Sequence, residues 1–433
     1  MKNDKWIMRL RRKILLLAPL ILPLAGVLSL PLLFPFPWDR LERRGASAAV
    51  YDREGNLLRL TRGDGDVISL PVPLAAMGDW AGQAVVAAED KRFFRHPGID
   101  PIAVGRALLQ NLASGRIVSG ASTLSTLTVK LIHPASPRNL GVKLREAVQA
   151  LLLERRAPKE RILEEYLNRA PFGGNLVGIE AASLLYFGKS ARDLSLAEAA
   201  LLAGIPKAPG RLRPDRAPKA AERRRDLVLR RMAAAGMVPA EGVGRFCEAA
   251  RRPPVRRTGL HPRLTESLLP KDPASAVGAH RRELPFLAPH YCDLVLALFP
   301  GEKKIATPLD PRLQSILESV LSAQFARLRP EGIRSGAGVL LPVPTGEVRA
   351  LVGSPDYRES ESGHVNCATA SRSPGSALKP FIYALAFERG LATPSAVVAD
   401  IPLSLGSWRP ENLSRTFEGL VSVRDALVRS LNV

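Results

Sequence analysis

Residues 14–38 carry no charged side chain, and a helix needs only ~20 apolar residues to cross a hydrocarbon core. Such a run predicts a transmembrane helix, which divides the rest of the chain between two compartments. Lys2, Lys5, Arg9, Arg11, Arg12 and Lys13 precede it. The positive-inside bias therefore keeps residues 1–13 as a cytoplasmic tail and sends the chain after Trp38 across the membrane. A cleaved signal peptide is the competing reading, but the run exceeds the usual ~7–15 residues and lacks a clear small-x-small cleavage site. Pro19, Pro23 and Pro31 predict kinks in the span.

Lys and Arg number 62 against 41 Asp and Glu, a net charge of +21, which points to anionic partners: nucleic acid, membrane headgroups or a phosphate-bearing substrate. No nucleic-acid module is visible and a translocated chain rarely meets a genome, so nucleic acid is set aside. At 46% hydrophobic over 433 positions the chain has core for two or three domains. Cys247, Cys292 and Cys367 are scattered and odd in number, neither a disulfide framework nor a metal cluster.

Residues 39–73 read as a stalk in which 48–51 and 57–60 form a hairpin. Apolar residues recur at three- and four-residue spacing over 102–112, 142–155, 159–168, 179–186 and 195–203, which predicts a mainly α domain over 74–237. The Pro-, Arg- and Gly-rich segment 251–280 marks a linker over 238–300. A second domain of α/β character follows over 301–433, with a strand at 305–309, a helix at 312–328 and a hairpin of 338–341 with 348–352.

Four clusters in the helical half carry candidate chemistry. In the first, Glu89 and Asp90 stand together ahead of Phe93, His96, Pro97 and Gly98, and the turn lets polar side chains gather in a cleft. The alternative is an amphipathic helix ending in a charged turn. In the second, Gly120-Ala121-Ser122-Thr123 with Lys130 offers donors to an anionic or sugar oxygen, or is a helix N-cap. In the third, Lys143, Arg145 and Glu146 lie on a helix with an expected core stripe of Leu144, Val148, Leu151 and Leu152. There Lys143 and Glu146 share a face, as a site or as a surface ion pair. The fourth runs from Tyr166 and Asn168 through Gly173-Gly174 to Gly188-Lys189.

In this order the clusters resemble the peptidoglycan glycosyltransferase domain of class A penicillin-binding proteins, glycosyltransferase family 51. Glu89, Asp90, Phe93, His96 and Gly98 match every fixed position of E-D-x-x-F-x-x-H-x-G, and several ordered motifs are far more specific than one. Asp100, Arg106, Glu146, Tyr166, Asn168, Gly188, Lys189 and the segment from Glu198 to Pro206 match downstream. The Gly-Ala-Ser-Thr form looks most like the 1C branch. Thr126 and Leu127 stand where the family usually has paired glutamines.

The resemblance implies a lysozyme-like helical fold that transfers a growing glycan from undecaprenyl pyrophosphate to the 4-hydroxyl of lipid II with inversion. It implies Glu89 as general base and Glu146 near the leaving pyrophosphate or its divalent ion, with magnesium the expected metal. Asp90, His96, Ser122, Thr123, Lys130, Lys143, Arg145 and Asn168 are the expected substrate-binding residues. Partners would be lipid II, undecaprenyl-linked glycan, the membrane and cell-wall synthesis proteins. The location would be the inner membrane, single-pass, with periplasmic catalytic domains. Arg211, Arg213, Arg223, Arg224, Arg225, Arg230 and Arg231 are expected to meet anionic headgroups or to line a solvated helix face. The rival readings are a non-catalytic lipid II or glycan-binding membrane protein and a glycan-cleaving lytic enzyme.

Ser376 and Lys379 have the S-x-x-K spacing that turns an amine toward a nucleophilic hydroxyl. With Arg372-Ser373-Pro374-Gly375 before them they resemble the penicillin-binding transpeptidase nucleophile, and Ser430 and Asn432 resemble its S-x-N motif. The third element, K-T-G or K-S-G, does not occur before Val433, so the transpeptidase half reads as incomplete and no transpeptidation or stable penicillin acylation is expected.

Overall fold

The computed structural model describes residues 29–43, 45–116, 120–133, 139–240, 243, 282–359 and 362–432. Most of the expected span at 14–38, the segment 251–280 and Cys247 lie outside the described residues. Among the described residues no helix is long and apolar enough to cross a membrane.

A short helix α1 (Trp38–Glu42) leads into strands β1 (Ala49–Tyr51) and β2 (Leu57–Leu60), and β3 (Ile68–Ser69) follows. The helical half comprises α2 (Gly78–Glu89), α3 (Pro101–Ser114), α4 (Leu124–Ile132), α5 (Leu140–Arg156), α6 (Lys159–Arg169), α7 (Ile179–Phe187), α8 (Leu196–Gly204) and α9 (Pro218–Ala234). Between α6 and α7 lie β4 (Pro171–Gly173) and β5 (Leu176–Val177), which join β3 in a small sheet. The ends are written locally. Asp100 caps α3 by accepting from the N–H groups of Ile102 and Ala103, and Gly115 ends it in the left-handed conformation. Ser195 and Glu198 form a capping box on α8.

Helix α8 is the centre of the core: Leu196, Ala197, Ala199, Ala200, Leu201, Leu202 and Ala203 are all buried, so it is apolar all round, as an internal helix must be. Its small side chains let α2 and α9 pack closely on either side. Helix α5 departs from its expected stripe. Leu144 is 45% exposed, and the fully buried residues are Val148, Gln149, Ala150 and Leu153. Gln149 can lie inside because its amide is paired, donating to the Pro35 carbonyl and meeting His133 Nε2.

The hairpin is present but is not a free-standing stalk. β1 pairs antiparallel with β2 and parallel with β6 (Lys304–Ala306), giving the order β2-β1-β6. Neighbouring strand residues point to opposite faces, so β1 buries Ala49 in the helical core and Val50 in a second core with Tyr291, Cys292, Ile305 and Leu351. Residues 289–298, expected within the linker, form helix α10 (Pro289–Leu298), which supplies Tyr291, Cys292 and Val295 to that second core.

The second half continues with α11 (Pro311–Leu328) packed on the antiparallel hairpin of β7 (Gly338–Leu340) and β8 (Ala350–Val352). Helix α12 (Lys379–Glu388) buries none of its residues. Strands β9 (Val397–Asp400) and β10 (Gly419–Ser422) pair antiparallel, and α13 (Val423–Val428) closes the described chain.

Candidate active site

Glu89 is the last residue of α2, directly after the buried run from Ala84 to Ala88. The apolar run fixes the helix in the core, and Asp90, at φ −154°, turns the chain out of it. The Glu89 side chain is thus held at the rim of the core, 13% exposed, with Arg224 Nη2 of α9 3.7 Å from its Oε1. Burial raises the Glu89 carboxyl above the usual carboxylate range; Arg224, Lys207 and Arg231 pull it down, and Asp90 pushes it up. Burial also lowers Arg224. Both groups shift toward their neutral forms because desolvation outweighs an attraction that lacks a hydrogen bond at this separation. The Tyr166 phenol stands close enough that the Glu89 charge adds to the burial that raises it. A carboxylate with a raised pKa suits proton abstraction near neutral pH.

Asp90 and His96 brace this corner. Asp90 Oδ2 lies 3.0 Å from His96 Nε2 and accepts from the Leu124 N–H at 3.0 Å. His96 Nδ1 accepts from the Gly98 N–H at 3.2 Å. Both imidazole nitrogens are therefore engaged within the protein, and the ring is 1% exposed. Thr123 donates to the Gly98 carbonyl and accepts from the Thr126 N–H as N-cap of α4. The N-cap alternative for this motif is realised by Thr123, and its buried side chain is not presented to a ligand. The first two motifs thus form one hydrogen-bonded block.

Ser122 and Lys130 are exposed on either end of α4, and Lys143 is exposed on the first turn of α5. Arg145 and Glu146 are half-buried, and both act electrostatically on His133. No ion pair joins Lys143 to Glu146 among the described residues, so Lys130 and Lys143 stand as available cations near one helix pair. Asn168 is buried, with Oδ1 accepting from the Val72 N–H at 3.1 Å and Nδ2 donating to the Val72 carbonyl at 2.9 Å. It clamps that backbone with both ends of its amide.

The arginine-rich segment of 211–231, which runs into helix α9, does not present a uniform solvated face. Arg225 is buried on Asp226, Arg213 is buried on Asp215, and Arg224 turns toward Glu89. Arg231 Nη1 donates to the Ala88 carbonyl at 2.5 Å. Arg211, Arg223 and Arg230 remain exposed. Arg224, Arg231, Lys207 and Tyr166 are the site neighbours that the expected residue set omitted. The one available signal was the seven-residue spacing of Arg224 and Arg231, which puts both on one face of α9.

In the second half, Lys379 Nζ lies 2.6 Å from the Ser430 carbonyl, 3.2 Å from Ser430 Oγ, 2.9 Å from the Leu431 carbonyl and 2.6 Å from Asn432 Oδ1. Desolvation lowers its pKa. Ser430, at φ 56°, presents both its carbonyl and its hydroxyl to that one amine. Ser376 is exposed in a 3₁₀ turn (Gly375–Leu378), and no hydrogen bond links its hydroxyl to Lys379 among the described residues. Lys379, Ser430 and Asn432 are therefore joined by hydrogen bonds, and Ser376 is not part of that network among the described residues.

Residues 58–233 match the Transglycosylase family, and residues 336–433 match the Penicillin binding protein transpeptidase domain. Penicillin-binding protein 1C of Escherichia coli (strain K12) is 39% identical over 403 residues, 93% of this chain and 48% of that protein. Penicillin-binding protein 1F of Bacillus subtilis (strain 168) is 32% identical over 406 residues, 89% of this chain and 52% of that protein. Penicillin-binding protein 1B of Vibrio cholerae is 34% identical over 368 residues, 81% of this chain and 44% of that protein. The chain spans about half the length of the curated relatives it matches. A transglycosylase domain followed by transpeptidase residues, with Glu89 at the corner where the first two motifs meet, makes this chain a member of the class A penicillin-binding proteins.

Proposed function

We propose that the chain is a membrane-anchored peptidoglycan glycosyltransferase in which Glu89 takes the proton of the lipid II 4-hydroxyl. That oxygen forms the new bond to the anomeric carbon of the growing glycan as the bond to pyrophosphate breaks. The electron pair leaves with undecaprenyl pyrophosphate, and the anomeric configuration inverts. Ser122, Lys130, Lys143, Arg145 and Glu146 line the helix pair α4–α5 on which pyrophosphate charge would be met. The observation that carries this reading is Glu89 itself: a nearly buried carboxylate with an oxygen free of hydrogen bonds among the described residues, beside cations that keep it chargeable.

Among the described residues no three His, Cys, Asp or Glu side chains cluster to hold an ion. The donor set suits magnesium only as a shared ligand, because that ion commonly takes one or two carboxylates and completes its shell with phosphate oxygens and water. Glu146 is the residue that would hold it, and the ion would supply positive charge at the leaving pyrophosphate.

Helix α3 supports the membrane anchor. Ile102, Leu108, Leu109 and Leu112 are exposed along it, Leu109 by 70%, while Ala107 is its one buried residue. An apolar face of this kind next to a site for an undecaprenyl substrate fits contact with the periplasmic leaflet of the inner membrane. The test is polymerisation of labelled lipid II by the detergent-solubilised chain with magnesium. Wild type should form glycan strands, and Glu89→Gln should lose about 10²–10⁴-fold in rate while still binding lipid II. Wild type that binds lipid II without forming polymer would move the reading to a binding protein.

A further inference from the structure

Two arginines of α9, seven residues apart and so on one helix face, reach the same end of α2. Arg231 donates to the carbonyl of Ala88, and Arg224 places its guanidinium 3.7 Å from the carboxylate of Glu89. Glu89 Oε1 and Arg224 Nε are both buried without a hydrogen-bond partner among the described residues. Buried polar atoms are nearly always paired, and unpaired ones concentrate where function requires them. Space for this arrangement is left by Gly204 at the end of α8, where a Cβ would lie 2.6 Å from Arg224 Cγ.

We propose that Arg224 and Arg231 form a two-point clamp that positions Glu89, with Arg231 fixing the backbone of α2 and Arg224 supplying a cation that faces the carboxylate without occupying its lone pair. A hydrogen-bonded ion pair would hold Glu89 more tightly and blunt it as a base. A cation at 3.7 Å keeps it charged and free to accept a proton. The other groups facing Glu89 are Lys207 beyond α8, Asp90 on its own loop and Tyr166 on α6. Arg224 is the nearest cation among them that also carries an unpaired nitrogen. The inference rests on the assignment of Glu89 as the base.

The test is the pH profile of kcat/KM for lipid II polymerisation, measured on the full chain for wild type, Glu89→Gln, Arg224→Gln, Arg224→Lys and Gly204→Ala. Arg224→Gln should move the acidic limb up by at least about one pH unit, with KM at the optimum unchanged. Arg224→Lys should keep the limb near wild type. Gly204→Ala keeps every charge but displaces the Arg224 stem, and should move the limb in the same direction; it decides the matter if Arg224→Gln does not fold. A limb that stays in place in Gly204→Ala and in a folded Arg224→Gln overturns the clamp while leaving Glu89 as base. Full activity in Glu89→Gln overturns the base assignment and the clamp with it.

Discussion

Thr126 and Thr123 cap each other: the Thr126 N–H donates to Thr123 Oγ1 at 3.2 Å, and the Thr123 N–H donates to Thr126 Oγ1 at 2.9 Å. Thr126 stands where the family usually has a glutamine, and here it serves as the third helical residue of a capping box, a place that glutamine also fills. Thr126→Ala should therefore cost about 0.5–2 kcal/mol of stability, whereas Thr126→Gln should preserve it. Thermal unfolding of the two variants checks both. A fall in Tm for Thr126→Gln as large as that for Thr126→Ala would contradict the capping role.

Glu89 links activity and stability with opposite signs. Its folded carboxyl titrates above the unfolded value because of burial, so the folded state binds the proton more tightly and loses stability as pH rises from the unfolded to the raised folded pKa. The Tm of Glu89→Gln minus that of wild type should rise over the same pH window in which wild-type polymerisation switches on. A flat difference would mean that burial does not disfavour the Glu89 charge.

Asp90 Oδ2 serves both His96 and the N–H of Leu124. Removing it orphans buried partners, so Asp90→Ala should lose about 1–3 kcal/mol per unsatisfied group, and Asp90→Asn, which keeps an acceptor, should lose less. Chemical denaturation distinguishes the two. If Asp90→Ala lost polymerisation at full stability, Asp90 would be acting on substrate instead.

Gly98 has φ +110°, and a Cβ there would meet the Ala150 carbonyl oxygen at 2.8 Å. Gly98→Ala should unfold at lower temperature, because it combines a strained backbone costing about 1–3 kcal/mol with a clash that pushes the first motif off α5. Lipid II polymerisation should fall in parallel with the folded fraction.

In the second half, Lys379 is bound to the Ser430–Asn432 corner. Among the described residues Ser376 has no hydrogen bond to this amine. Fluorescent penicillin should leave Ser376 unlabelled in this chain, as read by gel fluorescence with Ser376→Ala as the blank. Labelling abolished by Ser376→Ala would show that the amine can reach the hydroxyl.

Apolar residues at three- and four-residue spacing make α3, α5, α6, α7 and α8 legible as helices, but not which way the stripe faces: α6 buries it, whereas α3 exposes Ile102, Leu108, Leu109 and Leu112 and buries only Ala107. The motif residues were readable as a set, but their division of labour was not. Asp90, His96 and Asn168 hold backbone, which depends on long-range partners such as Leu124 and Val72. Charge usually marks a solvated face, as it does for Arg223 and Arg230 of α9, so the inward turn of Arg224 and Arg225 is not legible in the sequence. Arg225 escapes that rule through Asp226, the next residue, and Arg224 through Glu89, far away in sequence. The stripe of α5 was misplaced because Gln149 is inside and Leu144 is out, an exchange that only the paired amide of Gln149 makes tolerable.

The β2-β1-β6 sheet also sets the order in which the molecule can be assembled. The hairpin is delivered early, but the strand that covers the open edge of β1 follows roughly 240 residues later. At ~5–20 residues per second, that leaves the edge uncovered for about 12–50 s. During that interval a bare strand edge is a template for pairing with other chains. The seam that joins the two halves is therefore also the step at which a nascent chain is most exposed to misassembly.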